Sequence, residues 1–122
     1  MGLSNMKIVQ DGKIAYSVVD NVLKQRGGFT ESDFDELVGK MREIKGVELA
    51  YMLRQNPKNP GEFKLSTRSK EYFDCTELCG IFEGGGHLRA AGGTVFASNA
   101  KLAENTVLKH ACLIMDKYNK KI

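Results

Sequence analysis

Glu83-Gly84-Gly85-Gly86-His87-Leu88-Arg89-Ala90-Ala91-Gly92-Gly93 is the stretch on which the reading of this chain turns. Five of its eleven residues are glycine, so the backbone can enter positive φ and a ligand can approach it closely. Two readings compete. In the first, residues 87–91 begin a short turn of helix, and the glycine N–H groups with the positive helix end form an anion site. His87 then stands at its mouth, with Arg89 two residues on. In the second, the helix expected before this stretch ends at Glu83 and the glycines serve as its cap and turn.

A second segment bears on the choice. Phe63-Lys64-Leu65-Ser66-Thr67-Arg68-Ser69-Lys70 alternates as a strand does and ends in a cation–hydroxyl–cation triplet. Arg68-Ser69-Lys70, followed by a short helix and then Gly84-Gly85-Gly86-His87-Leu88-Arg89-Ala90-Ala91-Gly92, resembles the DHH-associated domain at the C-terminal end of DHH-family phosphoesterases. Many members carry a fourth glycine in front, where this chain has Glu83. The resemblance implies a domain that closes over a cleft and holds the nucleotide while an N-terminal domain cleaves it. It implies Arg68, Ser69, Gly84, Gly85, Gly86 and His87 as substrate contacts, with Arg89, Ala91 and Gly92 in support. Implied substrates are short RNA and 3′-phosphoadenosine 5′-phosphate, or cyclic dinucleotides in some relatives. Manganese would sit with the Asp-His-His motif on the N-terminal DHH domain, the expected partner. These 122 residues hold no such motif, so the chain looks like the C-terminal half of a two-domain enzyme, not catalytic by itself and without a cofactor of its own. The rival reading is a stand-alone RNA-binding module, since similar domains end alanyl-tRNA synthetases and occur in single-strand exonucleases. Against it, no solvent-facing aromatic platform is evident.

Composition sets the limits. At 122 residues the chain suits one domain, with residues 1–5 expected as a tail and residues 6–122 as the domain. Apolar content of 42% and charged content of 27% are ordinary for a globular protein. A net charge of +3 excludes nucleic-acid binding by bulk charge but leaves room for a local basic site. Three cysteines and no secretory signal point to free thiols and a cytoplasmic protein. No apolar run reaches the roughly 20 residues that span a bilayer, so no membrane partner is expected.

Taken in order, two apolar runs at 6–9 and 13–19 flank Asp11-Gly12, a hairpin signal. Asp20 caps a short helix through Arg26, closed by Gly27-Gly28. Thr30 and Asp33 resemble a capping box for an amphipathic helix with Phe34, Leu37, Val38, Met41 and Ile44 inward, ended by Gly46. Val47, Leu49, Tyr51 and Leu53 alternate as a strand, and residues 55–61 turn it back into the strand at 63–68. Asp74 opens a short helix with Leu78 and Phe82 inward. A strand at 94–97 follows, and Ser98 or Asn99 caps a long final helix with Ala103, Val107, Ala111, Ile114 and Tyr118 inward. The fold expected is α/β, with α+β possible: one domain, a mixed β-sheet packed against helices.

Two further residue groups are read as structural. His110 lies among the apolar positions of the final helix, and Cys75 and Cys79 share one helical face. A zinc site needs closer, loop-borne ligand pairs, so buried thiols are expected.

Overall fold

The structure, a computed structural model, describes residues 6–21 and 31–119. Nine elements form in the order β1 (Met6–Val9), β2 (Ile14–Val19), α1 (Glu31–Arg42), β3 (Leu49–Asn56), β4 (Asn59–Ser69), α2 (Cys75–Ile81), β5 (Gly85–His87), β6 (Ala90–Phe96) and α3 (Ala100–Asn119). The six strands make one sheet in the order β1-β2-β3-β4-β6-β5. Every pairing is antiparallel except β2 with β3, which run parallel. This is the expected mixed sheet of an α/β domain.

Each sheet face is buried by different helices. On one face Tyr16, Tyr51, Leu53, Phe63, Leu65 and Val95 pack with Leu78 and Cys79 of α2 and Ala103, Val107, Ala111 and Met115 of α3. On the other, Ala15, Ala50 and Met52 pack with Phe34, Val38 and Met41 of α1. Strand β3 is therefore apolar on both sides, as a central strand flanked by helices must be. Glu104 of α3 is buried as well; the Tyr16 hydroxyl and the Lys7 ammonium both donate to it at 2.7 Å, tying the first hairpin to the last helix.

The first hairpin forms as expected, with Gln10, Asp11 and Gly12 all at positive φ. Asn99 caps α3, its Oδ1 accepting from the Leu102 amide at 2.8 Å. Several boundaries move. Helix α1 stops at Arg42, so Ile44 lies in the turn beyond it and Gly46, at φ +91°, belongs to that turn. The turn expected over 55–61 is only Pro57-Lys58, because β3 and β4 keep pairing almost to it. The tail at 1–5, all but the first two residues of the expected Asp20–Arg26 helix, its Gly27-Gly28 stop and Thr30 lie outside the described residues. Among the described residues no helix is long and apolar enough to cross a membrane.

Helix α1 offers a direct check on which residues hold the second layer. Met41 is fully buried while Leu37 is only partly so. Met41→Ala should lower unfolding free energy by about 2–5 kcal/mol in urea denaturation. Leu37→Ala, at the edge of the same stripe, should cost under about 2 kcal/mol.

Candidate functional site

The glycine stretch does not start a helix. Residues 85–87 form β5 and residues 90–96 form β6, joined by the two-residue turn Leu88-Arg89. Residues 87–91 therefore supply no helix N-terminus, and the anion site expected from such a helix does not form. The capping reading holds for the front half: Glu83 sits at φ +56° and the Gly84 amide donates to Cys79 O at 2.9 Å, closing α2. The family position that is often glycine is thus one where the backbone is left-handed, and Glu83 adopts it under strain.

The three glycines do different things. A Cβ on Gly84 would lie 2.0 Å from Gly92 O, and one on Gly86, at φ +145°, would lie 2.9 Å from Ala90 O. Both are glycine because β6 passes against them. A Cβ on Gly85 would meet nothing within 4 Å. Its smallness serves no packing in this chain and leaves bare backbone facing solvent.

Register shows which residues share this surface. Ala15, Ala50, Arg68, Ala90 and His87 form one row across the sheet, so their side chains take the same face. Ala15 and Ala50 lie under α1, so Arg68 and His87 are on the α1 side. None of the described helices packs over this face at β6 and β5. Two strand spacings separate Arg68 from His87, about 10 Å between Cα atoms. Gly92 and Gly85 lie two residues along, in the next row on the same face. Arg68 is 26% exposed; its Nη1 donates to Thr67 O at 2.8 Å and its Nη2 lies 3.8 Å from Asp35 Oδ1 of α1. His87 is exposed and its Nδ1 accepts from the Arg89 amide at 3.2 Å. In the neutral ring that bond puts the proton on Nε2, leaving it as a donor.

Ser69 and Arg89 stand behind this surface. Ser69 is buried; its hydroxyl donates to Phe73 O at 2.7 Å and accepts from Arg89 Nη1 at 3.0 Å. Arg89 Nη1 also donates to Phe73 O at 2.8 Å and lies 3.8 Å from Glu48 Oε2. The Ser69 amide donates to Arg89 O and the Cys75 amide to Leu88 O. The two sequence motifs are therefore bonded to one another through Ser69 and the Leu88-Arg89 turn. Glu48, whose role the sequence reading missed, accepts from the amides of Glu71, Tyr72 and Phe73 at 2.9–3.1 Å. Its signal was an acidic residue inside the apolar run 47–53.

Cys75 and Cys79 are buried as expected, and burial pushes the Cys79 thiol up to about 11. His110 lies edge-on to Phe82, ring centroids 5.6 Å apart. Among the described residues no three His, Cys, Asp or Glu side chains gather as a metal site. Phe96, also missed, is 62% exposed and is the most exposed large apolar side chain described. Against the expectation of no solvent-facing aromatic platform stands this one outward ring: Val95 turns into the core, so Phe96 faces outward, as alternation in 94–97 would have shown.

An α/β domain whose two motifs meet at one end of an open sheet face is what the geometry defines. The sequence profile of the DHHA1 domain matches residues 11–112, and the chain belongs to that family, which accompanies the DHH phosphoesterases. Among solved structures it is similar to an exopolyphosphatase-related protein from Bacteroides fragilis, at 29% identity and TM-score 0.76 over 93% of this chain and 34% of that one. The fold also matches the C-Ala domain of Aquifex aeolicus alanyl-tRNA synthetase, at 13% identity and TM-score 0.63 over 89% and 96% of the two chains. It matches a pGpG-specific phosphodiesterase, PggH, from Vibrio cholerae at 11% identity and TM-score 0.56, over 88% and 35%. The chain thus spans about a third of the Bacteroides protein and of PggH. Comparison with curated proteins gives no match.

Two substitutions test this architecture. Glu48→Ala should cost about 3–5 kcal/mol, because three inward amides and Arg89 lose their partner together. Amide exchange at 71–73 should accelerate with it. Glu83→Gly should raise stability by up to about 1 kcal/mol, since relief of the left-handed backbone exceeds the added chain entropy.

Proposed function

We propose that this chain is the substrate-recognition domain of a DHH-family phosphoesterase, holding a phosphate of a nucleotide or short RNA against the β4–β6–β5 face. The observation that carries the reading is that Arg68 and His87 lie in one register row, with Gly85 and Gly92 beside them leaving the backbone bare. Arg68 supplies a planar fork to the phosphate and His87 Nε2–H a second donor. Gly85 admits the ligand to the main chain, while Ser69 and Arg89 fix the turn that sets His87 in place. Glu83, Gly84 and Gly86 shape the loop. Cleavage belongs to an N-terminal DHH domain carrying manganese, of the kind that accompanies DHHA1 domains in related proteins. Short oligonucleotides and 3′-phosphoadenosine 5′-phosphate remain the favoured substrates.

Asp35 competes for Arg68, since its carboxylate lies on the α1 side of the same guanidinium. A phosphate must displace it. One charged fork contributes about 1.5–3 kcal/mol, below the roughly 4 kcal/mol of a millimolar complex, so the chain alone should bind adenosine 5′-monophosphate no tighter than the millimolar range.

NMR titration with that nucleotide is the test. Amides of residues 84–87 and 68 should shift. Arg68→Ala and Gly85→Ala should each weaken binding about tenfold while the domain stays folded. Asp35→Asn should tighten binding by up to about fivefold, the measure of a surface ion pair. Shifts confined to the Cys75–Ile81 helix, or a Gly85→Ala protein that binds as wild type does, would rule the site out.

A further inference from the structure

The face that carries Arg68 and His87 continues along β4 and β6. Strand alternation places Glu62, Lys64 and Ser66 on the same side as Arg68, and Gly92, Thr94 and Phe96 on the same side as Ala90. Lys64 is exposed, Thr94 is half-buried, and Phe96 closes the strip at 62% exposure, while Ser66 is buried and accepts from Arg54 Nη2 at 3.5 Å. Six residues of strand separate the Arg68 row from the Glu62–Phe96 row, about 20 Å. The charge is graded along it. Arg68, His87 and Lys64 are basic or donors, whereas the far end pairs an apolar ring with the Glu62 carboxylate, which accepts from Asn56 Nδ2 at 3.2 Å. A carboxylate repels phosphate, so that end suits a base and not a backbone group.

We infer that this strip is a track for single-stranded nucleic acid, with Lys64 as a second phosphate contact and Phe96 as the stacking platform for a distal base. The inference rests on the phosphate-binding reading of Arg68 and His87 and adds to it a way of sensing ligand length. A mononucleotide fills only the Arg68–His87 end. A longer strand reaches Lys64 and then Phe96, where stacking on an exposed ring stabilises it without reading sequence. Among the described residues Phe96 makes no ring contact and sits outside both core clusters, so packing does not account for its exposure. Lys64 serves as a point charge for a backbone phosphate, which gives binding of the longer ligand a steeper salt dependence.

The experiment compares adenosine 5′-monophosphate with the 5′-phosphorylated adenylate trinucleotide, which has the same terminal phosphate, on the whole 122-residue chain by NMR titration. The trinucleotide should bind about tenfold tighter or better and shift the amides around Thr94 and Phe96 as well as those around Gly85. Phe96→Ala should remove most of that advantage and Lys64→Ala about threefold of it, with a shallower salt dependence. Neither should change monophosphate binding, and Phe96→Leu should recover less than Phe96→Tyr. If the monophosphate shifts the Gly85–His87 amides but the trinucleotide binds no tighter, or Phe96→Ala weakens both ligands equally, the track is wrong and the phosphate site stands. If neither ligand shifts those amides, the phosphate site itself is wrong and the track falls with it.

Discussion

The chain between β4 and α2 turns over one buried carboxylate, and that carboxylate makes the turn possible. Residues 71–73 leave the sheet and expose three successive amides that no strand pairs. Unmatched amides in such a place would cost heavily. Glu48, arriving from just before β3, accepts from all three. Arg89, from the β5–β6 turn, lies against the same carboxylate and donates to Phe73 O and Ser69 Oγ. Three segments far apart in sequence are thereby locked at one point. Arg68 precedes Ser69, His87 precedes the Leu88-Arg89 turn, and Lys70 donates to Ile44 O beyond α1. The placement of Arg68 and His87 is a consequence of this junction.

That dependence explains why the two motifs occur together in the sequence. Read separately, a triplet of Arg68-Ser69-Lys70 and a run of glycines are each common features of loops. In three dimensions Ser69 and Arg89 hold each other, so neither motif keeps its geometry without the other. Residues that bond backward, toward Phe73 and Glu48, leave the forward surface to Arg68, Gly85 and His87.

The fold was largely legible because its signals are local. Periodicity set α1 and α3, Asp11-Gly12 set the first hairpin, Pro57 marked the second, and Asp74 marked the start of α2, where it accepts from Thr76 N. What was not legible depends on contacts between distant residues. The segment 87–91 has fair helix propensity, yet β6 pairing with β4 from Ala90 onward pulls it into a strand. The short β5 has no strand pattern of its own; Gly85-Gly86-His87 is a strand only because β6 lies alongside. The two motifs were legible by resemblance, but the different placement of their residues was not. That Gly84 and Gly86 answer to packing while Gly85 does not, or that Ser69 faces inward, follows from register and neighbours that one dimension does not contain. Phe96 was a misreading of available information, since the strand alternation that buried Val95 already assigned its face.

The single parallel pairing, β2 with β3, divides the sheet in an unequal way. On its far side, β3, β4 and β6 are linked by a two-residue turn and by the short excursion through α2 and β5. On its near side β1 and β2 form a hairpin of their own. Only the connection over residues 20–48, which contains α1, joins these pieces. Closing a connection of that length costs chain entropy before any contact repays it. The native sheet is complete only when the hairpin and the β3–β4–β6 unit meet along this parallel seam, and the connection that closes between them carries α1, whose Asp35 lies against Arg68.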